Sequence, residues 1–289
     1  MTTLRPLTLA DCVQPDWHAP PRVRALVSTR NGGVSEPPYG GWSGWGGRGG
    51  QGGEVAGGMN LGRHTGDDPA HVDANRARLL ALTGQPRAAW LEQVHGTDVV
   101  RAEDVLAASA ADAGEGGVVR ADASVAATPG AVCVVMVADC LPVLLCDEAG
   151  RAVGAAHAGW RGLVAGIVEK TAERVAALAG AGAGSLHAYL GPAIGPTAFE
   201  VGADVRSAFL DAAPLADYAA TERAFAPRAD APGKYLADLY ALARLRLARA
   251  GVARVSGGTA CTVTERERFY SYRRDRVTGR MAAMIWLAD

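Results

Sequence analysis

Net charge is almost absent from this sequence: 29 lysines and arginines stand against 30 aspartates and glutamates, a formal charge of -1. Without a surplus of one sign there is no global field to hold a nucleic acid or an anionic membrane surface. Neither partner is expected, and small neutral or anionic ligands remain open. A leader is missing as well. The opening MTTLRPLTLADCVQPDW lacks the basic-then-apolar run of a secretion signal, so a cytoplasmic protein is expected. The longest apolar stretch, AVCVVMVADCLPVLLC, is interrupted by Asp139 and Pro142 and is too short to span a bilayer. Cysteine is sparse: five residues, an odd number with no regular spacing, argue for unpaired thiols or metal ligands over a disulfide frame. The six histidines, His18, His64, His71, His95, His157 and His187, contain no His-x-His pair, which excludes the ligand set of a multicopper oxidase. The paired Cys-x-x-Cys of the usual zinc deaminases is also missing.

What is present is a chain of 289 residues, long enough to enclose a real core. Strands are predicted at 22–28, 121–128, 131–138, 143–147, 151–157 and 281–288, several of them buried on both faces. Helices are predicted at 69–82, 163–180, 202–212 and 235–251. In 163–180 the residues Leu163, Val164, Ile167, Val168, Val175 and Leu178 share a face and Gly180 ends the run. In 235–251 the stripe is Leu236, Leu239, Ala243 and Leu247, and Gly251 terminates it. Strands and helices are intermixed without a regular βαβ repeat. The expected class is therefore α/β (α+β), one domain over 1–289 with mixed sheets flanked by helices.

One segment breaks the pattern. From Gly40 to Gly58 more than half the residues are glycine and no hydrophobic period is visible. Ordering such a stretch costs much entropy, so a loose surface insertion is the first reading. A phosphate cradle is the second, but it needs a strand before and a helix after at fixed spacing, and neither is visible. Deletion of 42–57 is expected to be tolerated.

Three places put a ligand or nucleophile in a run of small or tightly turning residues at a predicted strand end: His95 in LEQVHGTD, Cys140 in VADCLPVLL and His157 in AAHAGWRG. Side chains at strand ends project into crevices. Two imidazoles and a thiolate suit zinc or copper better than magnesium or calcium, and three protein ligands leave a fourth position open. The wide separations match no finger or ribbon spacing. Taken singly, each residue reads equally as a satisfied buried histidine or a core thiol. A third option is a Cys140–histidine nucleophilic dyad of an amidase.

The segments WLEQVHGTDV, RADASVAATPGAVCVVMVADCLPVLL, AAHAGWRGL, LGPAIGPTAFEVG, KYLADLYALAR and CTVTERERFYSYRRDRVTGRMAAMIWL together closely resemble the YfiH family. That family carries a polyphenol oxidase or laccase-domain label, and its members are regarded as purine nucleoside phosphorylases. The resemblance runs from STRNGGVS at 28 to the C-terminus, and the glycine-rich stretch departs from it between GGVSEPPY and MNLGRHTGD. It implies a YfiH-like, cytotoxic necrotizing factor-like fold, and it places metal ligands and catalytic residues on His95, Cys140 and His157.

The implied reaction is attack of phosphate on the anomeric carbon of adenosine, inosine or S-methyl-5′-thioadenosine, with adenosine deamination as a second activity. The implied cofactor is Zn2+, with Cu2+ able to occupy the same ligands; the implied state is a monomer. A cell-wall precursor editing role, fitting a peptidoglycan-directed amidase, is the alternative function. Arg161 has two readings: an anion-binding fork before a helix, or a partner of a carboxylate that locks the turn. Arg30, Asn60, Tyr272 and Arg273 are further substrate candidates from the resemblance. Around His157, Ala155, Ala156, Ala158 and Gly159 are expected to leave room for ion and substrate, Trp160 to anchor packing, and Asp122 or Asp139 to orient the ring.

Overall fold

The architecture comes from a computed structural model that describes residues 5–43, 52–111 and 118–289. Two sheets share a core between them. The first has five strands in the order Cys12–Val13, Val23–Ser28, Met281–Leu287, Ala131–Val137, Arg87–Ala89. The second has six, ordered Arg254–Gly257, Leu186–Leu190, Leu141–Asp147, Val153–Ala158, Ala123–Ala126, Val99–Arg101. Both sheets mix parallel and antiparallel neighbours.

Side-chain alternation explains the unbroken apolar runs. Along Ala131–Val137, Cys133 and Val135 fill the space between the sheets together with Leu144, Cys146, Val153 and Ile285. Val132 and Val134 point the other way, into a layer with Leu26, Leu79 and Met284, so both faces of the strand are covered. The outer face of the six-stranded sheet, Val143, Leu145 and Ala156, packs under Ile167, Val175, Leu239 and Leu247 from two helices. Among the described residues no helix is long and apolar enough to cross a membrane.

The predicted strands sit where expected, with trimmed ends. One began too late: the strand predicted at 143–147 is Leu141–Asp147 and includes Pro142. Proline lacks a ladder donor, but Pro142 lies opposite Gly191, just beyond the end of the neighbouring strand, and accepts the Gly191 N–H at 2.9 Å.

Two helices depart from expectation. The stretch 163–180 is two helices, Trp160–Val164 and Ile167–Ala179, divided at Gly166, whose φ is 96°. That left-handed backbone suits glycine and stops an α-helix. The stretch 235–251 starts as a strand, Lys234–Ala237, paired with Phe225–Pro227. Only after Asp238 caps the Ala241 N–H at 2.9 Å does the helix Leu239–Arg249 begin.

The glycine-rich stretch is tied down at its ends. Gly41–Trp42 pairs with Glu54–Val55, and Gly58 bridges to Asn31 and Ser35. Glu54 meets the Arg30 guanidinium at 2.6 Å. Residues 44–51, the middle of the expected loose insertion, lie outside the described residues.

Candidate metal centre

The ends of the central strands of the six-stranded sheet meet on one side of it. Leu141 pairs with Ala158 and Pro142 with His157, which delivers Cys140 opposite Gly159. The His157 N–H donates to the Asp122 carbonyl at 2.7 Å, just ahead of Ala123–Ala126. The chain passes from one sheet to the other through Ala138, Asp139 and Cys140, and Asp139 takes a φ of 96° to make the turn. His95 arrives on a loop with its own φ at 61°. Two non-glycine residues in the left-handed region within one site mark a geometry imposed by surrounding contacts.

Asp122 supplies those contacts for the His95 loop. One carboxylate oxygen accepts the Gly96 N–H at 2.6 Å and the Val94 N–H at 3.2 Å. The other accepts the His95 N–H at 2.9 Å and lies 2.8 Å from His157 Nδ1. Donation from His157 Nδ1 fixes the tautomer and leaves Nε2 for the centre. The ligand atoms of His95, Cys140 and His157 all lie within 4.8 Å of one another. Among the described residues this is the one such cluster.

The electrostatics favour a thiolate. Burial opposes ionisation of Cys140, yet the His157 ring, then His95, push the thiol down to about 6. Burial likewise opposes charge on His157, and the Cys140 thiolate together with Asp122 pushes it up to about 9. By contrast, burial drives Cys12, Cys133 and Cys146 up to about 12, the state of inert core thiols.

The donor set fits a divalent ion. Cys140 Sγ lies 3.7 Å from His95 Nε2. Bonds of about 2.3 Å to sulfur and about 2.0 Å to nitrogen at a tetrahedral angle give an edge of about 3.5 Å. One thiolate and two imidazoles suit zinc or copper. His157 is buried while His95 is exposed, so the centre opens to solvent on the His95 side.

The bare backbone of AAHAGWRG has a specific reason. A Cβ on Gly159 would stand 2.8 Å from His95 Cδ2 and 3.1 Å from Cys140 Sγ, and one on Gly162 would stand 2.9 Å from the Gly96 carbonyl oxygen. The space expected to admit ion and substrate is occupied by the ligands themselves. Ala155, Ala156 and Ala158 are wholly buried in the sheet core.

The other sequence candidates separate. Asp139 is not the partner of His157: its carboxylate accepts the Thr262 hydroxyl and the Arg273 N–H, each at 2.6 Å. Arg161 lies inside the short helix, not ahead of it, exposed, with its guanidinium 4.5 Å from the Trp160 ring and no carboxylate partner among the described residues. Trp160 packs against the outer core.

Arg30 is buried, sits between the Trp42 and Tyr270 rings, and donates to the Gly40 and Arg266 carbonyls and to Glu54. Asn60 is also buried; its amide donates to Thr65 and Asp67 while its oxygen accepts the Gly62 and Arg280 N–H groups. Both spend their polar atoms on holding loops together. Tyr272 is 49% exposed, and Arg273 donates to the Glu200 carbonyl. Arg280, not among the sequence candidates, directly precedes the predicted strand 281–288 and so shares the strand-end position that singled out His95, Cys140 and His157.

The family model described as multi-copper polyphenol oxidoreductase laccase matches residues 24–288. The chain belongs to this family, the YfiH family. It is 48% identical to the Escherichia coli protein named purine nucleoside phosphorylase YfiH, over 96% of this chain and all of the relative. It is 46% identical to the Pseudomonas aeruginosa protein named purine nucleoside phosphorylase PA4543, over 95% of this chain and 98% of the relative. The crystal structure of Neisseria meningitidis protein NMB0706 superposes with a TM-score of 0.80 at 46% identity, covering 96% of this chain and all of that one.

Proposed function

We propose that this YfiH-family protein is a zinc-dependent purine nucleoside phosphorylase acting on adenosine, inosine and S-methyl-5′-thioadenosine, with adenosine deamination as a side activity. The observation that carries this reading is the convergence of His95, Cys140 and His157, in a chain so similar to relatives named purine nucleoside phosphorylase. Five unpaired cysteines fit a reducing, cytoplasmic setting.

In phosphorolysis a phosphate oxygen forms a bond to C1′ as the C1′–N9 bond breaks. The bonding pair leaves with the purine, which takes the proton that phosphate carried, and ribose 1-phosphate remains. A bound divalent ion supplies a Lewis acid at the open face of the centre. The protein supplies the rest. Asp122 holds His157 in one tautomer and pins the His95 loop, so the centre is pre-organised before substrate arrives. Tyr272 offers an exposed ring for the nucleoside, and Arg273 is held beside it by Asp139.

Metal content, together with chromatography of products from inosine and adenosine with and without phosphate, tests the reading. Free base released only with phosphate supports it; phosphate-independent base release, or no turnover of the metal-loaded protein, rejects it. The low Cys140 pKa beside His157 favours a second reading, a Cys–His amidase. Iodoacetamide would kill that enzyme and a chelator would leave it active, whereas chelation should silence the phosphorylase until metal is restored.

A further inference from the structure

A phosphorolytic centre needs a group to hold the incoming phosphate, and of the arginines the sequence singles out, Arg273 is exposed and turned onto the Phe199 ring and the Glu200 carbonyl. Arg161 is on the surface and the Arg30 guanidinium is spent inside a loop. Arg280 differs from all three. It stands just before the strand Met281–Leu287, whose Met281 pairs with Val137, so the register carries Arg280 beside Ala138, two residues from Cys140.

Its backbone is clamped: the N–H donates to Asn60 Oδ1 at 2.9 Å, and the carbonyl accepts the Leu61 N–H at 3.1 Å. One end of the guanidinium is committed, with Nη1 donating to the Thr278 and Gly279 carbonyls at 3.0 Å each. Nε and Nη2, the edge whose parallel N–H groups match two oxygens of a phosphate, have no protein acceptor among the described residues.

Among the described residues no carboxylate closes an ion pair with this cation, and none lies within ion-pair distance of His64 or Arg76. Burial pushes the Arg280 pKa down, and the nearby charges of Cys140 and Asp139 work against that fall. His64 is depressed by burial and by the charges of Arg280 and Arg76. The Tyr272 ring centroid lies 5.8 Å from the Arg280 guanidinium carbon. A half-buried guanidinium with an open fork, next to the candidate metal centre and without a carboxylate ion-pair partner among the described residues, is a site built for an anion.

We propose that Arg280 binds the attacking phosphate through its Nε and Nη2 edge, with Asn60 acting as the residue that positions it. This rests on the phosphorolytic reading of the centre, and it places the anion on the Tyr272 side instead of at Arg161. Phosphate held there stands beside the centre that receives the nucleoside, which is the juxtaposition attack on C1′ demands.

The test compares Arg280→Gln and Arg280→Lys with Arg161→Ala, each verified for metal content and melting temperature. Loss of a forked, charged hydrogen-bond pair should raise the KM for phosphate by about 10- to 100-fold in Arg280→Gln with the nucleoside KM unchanged. Arg280→Lys should recover part of that loss, because an ammonium restores charge without the fork. Calorimetric titration of inorganic phosphate into the protein, without nucleoside, should show the same order of affinities. An unchanged phosphate KM and affinity in Arg280→Gln, or the full effect appearing in Arg161→Ala, overturns the assignment. Should wild-type protein release base without phosphate, the functional reading falls, and the direct phosphate titration still decides Arg280.

Discussion

Asp122 and Asp147 are buried carboxylates at opposite ends of the same sheet, and they use the same device. Asp147 accepts the Ala149, Arg151 and Ala152 N–H groups and the Arg151 side chain, locking the turn between two strands. Asp122 accepts the Val94, His95 and Gly96 N–H groups and the His157 ring. Both are wholly buried, and both are held below the usual carboxylate range: burial works against this, and their hydrogen-bond donors prevail. The difference lies in the final donor. At Asp147 it is an arginine 47% exposed to water; at Asp122 it is a buried imidazole whose other nitrogen faces a thiolate. A turn lock becomes a candidate metal centre when one donor changes from guanidinium to imidazole and a cysteine stands across from it.

The largest effect should come from the thiolate itself. Cys140→Ala is expected to lose bound metal and nucleoside turnover together while keeping its circular dichroism spectrum, and a variant that turns over at the wild-type rate would remove Cys140 from the centre. The carboxylates come next. Asp122→Asn should weaken metal affinity by about 10- to 100-fold, the usual consequence of losing the partner of a ligating histidine. Asp147→Asn should leave metal affinity alone and lower folding stability by about 1–3 kcal/mol, because buried donors lose a charged acceptor. Equal metal affinities in the two variants would erase the distinction between the two ends.

The same contrast shows what could be read from residues in order along the chain. Strand positions were legible because two-sided burial leaves continuous apolar runs such as AVCVVMV. The three candidate ligands stood out as small-residue strand ends and as matches to a family pattern, and the fold brings them together. Helix boundaries were less so: Gly166 and Asp238 are the residues that reset the backbone, and each lies within an apolar period that continues on both sides. Partnerships were the least legible. Asp122 and Asp139 are both acidic residues at strand ends, and only the sheet register decides that Asp122 meets His157. Arg280 and Cys140 lie far apart in the chain, and the pairing of Met281 with Val137 brings their neighbourhoods together.

Smaller effects should follow from glycine. Gly159→Ala places a methyl group against His95 and Cys140, and overpacking of this kind costs about 1–3 kcal/mol. Gly182 has open space where a Cβ would stand, so Gly182→Ala serves as the control and should hardly move the melting temperature. The diagnostic result is that Gly159→Ala also loses metal affinity; a loss of stability without one would mean that the ligands shift together and keep their geometry.

The smallest effect is a difference in acid sensitivity. A carboxylate whose native pKa is depressed contributes stability in full above its unfolded value of about 3.9, and loses it as pH falls through the native value. Asp122 and Asp147 both have that sign, so the metal-free protein should lose stability as pH drops below about 4. Replacing either by asparagine removes one proton-binding site from the native-to-unfolded balance and should flatten that acid slope. Urea midpoints measured from roughly pH 6 to pH 3 would compare the two. For Asp147→Asn the flattening should stand alone, since its donors are backbone N–H groups and an arginine that stays charged throughout. For Asp122→Asn it should come with a second change near neutral pH, because His157, pushed up to about 9 with the help of Asp122, would lose part of its support and release its proton at a lower pH. Identical pH profiles for the two variants would show that His157 does not feel Asp122, and that the two ends of the sheet differ in name only.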